Sequence, residues 1–105
     1  MKTYSAEQLP TYQVSGQELR IHWDAKEVPA PGMDEPFTQW EQEEALCGVS
    51  DSYGQLVAKI IGAVYDHNAE FAAINDGGDK YAAYQAFRTQ AKALAQGWAP
   101  RTGQD

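Results

Sequence analysis

The sequence predicts an α+β domain: a small antiparallel sheet at the amino-terminal end, followed by two or three helices. Two patterns predict it. Apolar and polar residues alternate over 19–28, whereas after residue 51 apolar residues recur at steps of three and four. The length of 105 residues fits a single domain, with a β-rich part over about 11–46, a helical part over about 51–97 and a flexible tail over 98–105.

In "LRIHWDAKEV", Leu19, Ile21, Trp23 and Ala25 alternate with Arg20, His22, Asp24 and Lys26, the signature of a strand with one wet face. Just before it, Tyr12 and Val14 fall on one side of a shorter run, and Ser15-Gly16 supplies a tight turn. Together these predict an antiparallel hairpin over about 11–28. "PAPGMDEP" (29–36) holds three prolines and a glycine and reads as a loop, because proline cannot donate to a ladder. "FTQWEQEEALCGV" fits two periods. As a strand it puts Trp40, Gln42, Glu44 and Leu46 on one face; as a helix, Trp40, Glu43, Glu44 and Cys47. Glu and Ala pull toward helix, but a third strand over 37–46 would pair with the hairpin, and that reading is preferred.

Ser52 with Gln55 three residues on forms a capping box. Tyr53, Leu56, Val57, Ile60, Ile61 and Val64 then make an apolar stripe. A second helix is predicted from about Asn68 to Asn75 and a third from about Lys80 to Gly97, the latter carrying Tyr84, Phe87, Ala91, Leu94 and Trp98. Between them lies Asn75-Asp76-Gly77-Gly78-Asp79. An EF-hand needs oxygen ligands at alternate positions and glycine at the sixth, and a phosphate loop needs Gly-x-x-x-x-Gly-Lys-Ser/Thr; neither pattern fits. The stretch reads as punctuation, with Asn75 or Gly77 ending one helix and Asp79 capping the next.

Net charge is −7, with nine acids against three bases in residues 1–50 and six against five in 51–105. An acidic first half repels phosphate backbones, so a nucleic-acid partner is not expected. Cys47 is the only cysteine, which excludes an internal disulfide; with no base beside it, it reads as a small buried hydrophobe. No apolar h-region or membrane-length apolar run is present, so neither a signal peptide nor a membrane span is expected.

Candidate catalytic groups are sparse. His22 lies on the predicted polar strand face, and His67 lies beside Asp66, itself a good N-cap. Neither makes a metal pair or a triad, so no catalytic residue, metal or cofactor is predicted. Glu41, Glu43 and Glu44 read as a solvated edge. Trp23 and Trp40 suit packing across or onto the sheet, and Tyr81 and Tyr84 line the last helix. With three Trp, six Tyr and three Phe, core packing explains most of the aromatics, and any in excess of a small core's needs suit an interaction surface. Trp23, Trp40, Glu41, Glu43, Glu44, Tyr81 and Tyr84 are therefore the candidate protein-interaction residues.

"ELRIHWDAKEV", "QWEQEEALC" and "LVAKIIGAVYDHNAEFAAINDGGDKYAAYQAFRTQAKALA" together resemble short open reading frames in the tail-gene regions of tailed phages and prophages, over about 15–97. Where that pattern has a turn such as Pro-Thr-Tyr-Gly after the position of Tyr65, this chain has Asp66-His67-Asn68-Ala69. The resemblance implies a setting and no activity: a non-enzymatic, protein-binding accessory factor in tail or tail-fibre assembly, in the host cytoplasm or associated with the virion. Its partner would be a tail component or a host protein. Two other readings stand beside it: an acidic inhibitor of a host protein that mimics DNA through Glu18, Asp24, Glu27, Glu41, Glu43 and Glu44, and a small enzyme using His67 with carboxylates.

Overall fold

The computed structural model describes residues 1–30 and 38–98. Among these residues, four strands, β1 (Lys2–Ser5), β2 (Tyr12–Ser15), β3 (Glu18–Pro29) and β4 (Thr38–Gly48), precede three helices, α1 (Tyr53–Val64), α2 (His67–Asp76) and α3 (Gly78–Gln96). The fold is α+β, as the sequence predicts.

The strands form one antiparallel sheet in the order β1-β4-β3-β2. The hairpin is present: Ser15 pairs with Glu18, and Gly16 turns the chain with φ 63°, a conformation that favours glycine. The 37–46 segment is a strand from Thr38 on, paired with β3 as expected, and Phe37 lies outside the described residues. The sequence reading placed no strand before residue 11, whereas β1 pairs with the far side of β4, Lys2 opposite Glu43 and Ser5 opposite Trp40. Three consecutive strands with the first returned beside the last make a Greek key rather than a simple hairpin plus one strand.

The alternation along β3 breaks once. Trp23 faces Glu43 but Lys26 faces Glu41, so β3 carries one extra residue, a bulge. Asp24 takes φ 53° there, which its short polar side chain tolerates, and its carboxylate accepts a hydrogen bond from Gln90 Nε2 at 3.2 Å. Ala25 therefore does not continue the face of Leu19, Ile21 and Trp23 as predicted; Lys26 takes that phase.

One sheet face, with Leu19, Ile21, Trp23, Ala45 and Cys47, packs against Leu56, Ile60 and Ile61 of α1 and Tyr84, Ala91 and Ala95 of α3. Ala91 and Ala95 are the fully buried small residues of α3. Four rings continue this core from sheet to helices: Trp23 to Phe87 (6.0 Å between centroids), Phe87 to Tyr65 (5.8 Å) and Tyr65 edge-on to Tyr84 (5.2 Å).

The helix starts follow from local chemistry. Ser52 Oγ accepts from the Gln55 amide while Gln55 Oε1 accepts from the Ser52 amide, closing the capping box. Asp66 Oδ1 accepts from the Ala69 amide at 2.7 Å and caps α2. Gly77 and Gly78 adopt φ 64° and 60°, so the doubled glycine is where α2 stops and α3 starts. Asp79, expected to cap α3, instead lies within its first turn; Gly77 holds the cap position and no side chain caps it.

Trp98, which the sequence puts on the apolar row of the third helix and at the edge of the tail, lies just past α3: its ring is 5.7 Å from Tyr12 and its Nε1 donates to Val49 O at 3.3 Å. The rest of that tail (99–105), and the predicted 29–36 loop from residue 31 on, lie outside the described residues. Tyr12 also donates its hydroxyl hydrogen to Leu94 O at 2.6 Å, tying β2 to the end of α3. A Cβ at Gly97 would overlap that hydroxyl. Gly97→Ala is therefore expected to cost about 1–3 kcal/mol in urea unfolding, through displacement of Tyr12.

Candidate functional site

β1 and β2 lie at opposite edges of the sheet, so the six residues between them (6–11) cross both central strands. The gap is about 14 Å, three inter-strand spacings, and six residues reach at most about 20 Å. The crossing is short and runs over the face opposite the helices. Gln42 meets it there: its Oε1 accepts from the Leu9 amide at 2.8 Å and its Nε2 donates to Leu9 O at 3.1 Å. His22 lies alongside, with Nδ1 2.8 Å from Pro10 O and Nε2 2.9 Å from Glu44 Oε2. Both ring nitrogens thus lie within hydrogen-bond distance of an oxygen. Arg20 Nη1 approaches the same carboxylate at 3.5 Å.

The sequence reading placed His22 on a wet face and Glu44 on a solvated edge, and the structure corrects both. Their side chains are 0% and 7% exposed. The alternation does face them away from the helices; the crossing segment then covers them. Glu41 and Glu43 are not freely solvated either. Lys2 Nζ lies 3.1 Å from Glu41 and 3.4 Å from Glu43, and Lys26 Nζ 3.2 Å from Glu41. Hydrogen bonds from Lys2 and then Lys26 hold the Glu41 carboxyl below its ordinary range, and Glu41 in turn raises Lys2.

The other candidates do not gather into one patch. Trp23 and Tyr84 are buried at the two ends of the ring series. Trp40 is half-buried opposite Ser5 and Glu27, and Tyr81 is 37% exposed at the start of α3. Cys47 is buried as expected, and desolvation pushes its thiol up to about 11, which leaves it almost wholly protonated and inert near neutral pH.

A concavity that the sequence reading missed lies between α1 and α3, with α2 at one end, and has a volume of about 650 Å³. Tyr53, Val57 and Ile61 of α1, Tyr65 and Tyr84 form its floor, and Arg88 and Lys92 of α3 stand exposed at its rim with His67. Glu70 also lines it, and its Oε2 accepts the Tyr84 hydroxyl hydrogen at 2.5 Å. That bond, with burial, raises the Tyr84 phenol above its ordinary value. The signal was legible: Tyr84, Arg88 and Lys92 recur every four residues with no acid three or four away from either cation.

Among the described residues, no three His, Cys, Asp or Glu side chains are grouped as metal ligands, and no helix is long and apolar enough to cross a membrane. Glu44→Leu is expected to cost about 3–5 kcal/mol, because it leaves His22 buried without its carboxylate. The double variant His22→Leu/Glu44→Leu is expected to be less destabilised than the single one, with urea unfolding as the measure. Compared with models of protein families, with curated proteins and with solved structures, the chain matches none.

Proposed function

We propose that the protein is a non-enzymatic accessory factor of a phage or prophage that binds a partner protein in tail or tail-fibre assembly. The setting is supported by the resemblance over about 15–97. The observation that carries the binding role is the outward face of α2. Phe71 and Ile74 sit three residues apart, hence on one side of the helix, and are 66% and 52% exposed, while Ala73 is the only buried residue of α2. Two large apolar side chains on one short helix face form the centre that a protein interface uses, and the partner they suit presents an apolar pocket.

The DNA-mimic reading draws little support from the carboxylates it would use. Glu18 pairs with Arg20, Glu41 and Glu43 pair with lysines, and Glu44 is buried against His22. The enzyme reading gains one observation, that His67 and Glu70 line the same cleft. Glu70, however, is engaged by the Tyr84 hydroxyl rather than by the imidazole, so it does not orient His67 as a base.

Co-expression with the products of neighbouring tail genes, read by pull-down and size exclusion, is expected to yield a complex. Phe71→Ser/Ile74→Ser is expected to weaken it at least about tenfold, with stability within about 0.5 kcal/mol of the parent because both positions are exposed. No complex with any tail component, or a complex indifferent to both substitutions, would contradict the reading.

A further inference from the structure

We propose that the cleft between α1 and α3 binds a small aromatic oxyanion, with its flat ring on the tyrosine floor and its carboxylate or phosphate held by Arg88 and Lys92. Charge pairing in the rest of the molecule carries the inference. Of the seven described lysines and arginines, five are in ion pairs: Lys2, Arg20, Lys26, Lys59 and Lys80. The two with no carboxylate within 4.0 Å among the described residues are Arg88 and Lys92, and both line this cleft. In a chain of 15 acids and 8 bases, partners are in excess, so leaving two adjacent cations unmatched is not forced by composition. They are four apart on α3, a like-charge spacing that is itself unfavourable. A bound anion removes that repulsion.

The cleft's own carboxylate does not do so. Glu70 is spent on the Tyr84 hydroxyl, which lies at the base of the same helical row as Arg88 and Lys92. The remaining surface suits a ring. Tyr65 and Tyr84 meet edge-on, and Tyr53 joins them along the floor. On the α1 wall Gly54 and Gly62 leave room, since a Cβ at either would meet nothing within 4 Å. A ligand edge can therefore approach the helix backbone. The volume of about 650 Å³ falls within the usual range for small-molecule sites. A guanidinium beside an ammonium is a donor set for an oxyanion: the first offers a planar fork, the second a point charge.

The test is a titration of ¹⁵N-labelled protein, followed by amide shifts, with three probes: indole-3-acetate, phenyl phosphate and the uncharged indole-3-acetamide. At least one anion is expected to move the amides around Gly54, Gly62, Arg88 and Lys92 at up to millimolar concentration, and which one does so distinguishes carboxylate from phosphate. The neutral amide is expected to bind at least about tenfold more weakly, as is the better anion to Arg88→Gln/Lys92→Gln; this is the worth of one charge-assisted hydrogen bond. Both substituted side chains are exposed, so an unchanged melting temperature serves as the control for folding. A second variant, Gly62→Leu, fills the cleft without touching charge and is expected to abolish binding. The proposal is overturned if neither anion moves these amides, if the neutral amide binds as well as the acid, or if the double variant keeps its affinity.

Discussion

Between β1 and β2 the chain crosses the two central strands in six residues, and the polar cluster beneath that crossing governs where both edge strands lie. Gln42 treats the Leu9 peptide as a strand partner, bonding both its N–H and its C=O. His22 bridges the Pro10 carbonyl and Glu44. Burying an imidazole against a carboxyl group is costly, and such pairs are weak sources of net stability. What this one supplies is position. A segment without regular structure is fixed over a particular point of the sheet, so β1 is carried to one edge and β2 to the other. β1 then brings Lys2 to Glu41 and Glu43, and β2 brings Tyr12 to the end of α3. Both edges thus depend on a cluster that neither edge contains.

The parts of the fold legible in the sequence are those whose cause is local. The Ser52–Gln55 capping box, the apolar stripe of α1, the Ser15-Gly16 turn and the Asp66 cap each involve residues within a few positions of one another. The 37–46 run was ambiguous because its composition favours helix; its pairing with β3 decides for strand. What stayed hidden is non-local. β1 is four residues long and pairs with residues about forty positions on, a contact no window can register. His22 and Glu44 occupy alternate positions that any pattern assigns to water, and a distant segment then buries them. The bulge at Asp24 shifts the phase of β3 without an obvious breaker, since aspartate enters the left-handed region more readily than most residues.

The same distinction applies to the candidate sites. Counting aromatics left open whether any were surplus to the core, and Trp23, Phe87, Tyr65 and Tyr84 are spent on one continuous series of ring contacts from sheet to helices. Counting acids suggested an exposed field, yet Glu41 and Glu43 are matched by lysines and Glu44 by Arg20. Composition does not reveal how groups pair in space, and the informative surface is what remains once they have paired. Among the described residues that remainder includes two outward apolar residues of α2 and, over a tyrosine floor, two cations with no carboxylate within 4.0 Å. The first kind of surface suits a protein and the second a small anion, so they need not serve the same partner.

The most direct measurement of the crossing's role is native-state hydrogen exchange at the Leu9 amide. This N–H lies outside every strand and helix, and its bond is to the Gln42 side chain. If the cluster fixes the crossing, Leu9 exchanges nearly as slowly as the amides of Ile21 and Ala45 in the central strands, and Gln42→Ala releases it while those two stay protected. If Leu9 exchanges at the rate of an open loop in the unaltered protein, the crossing is not held, and the placement of both edge strands needs another cause.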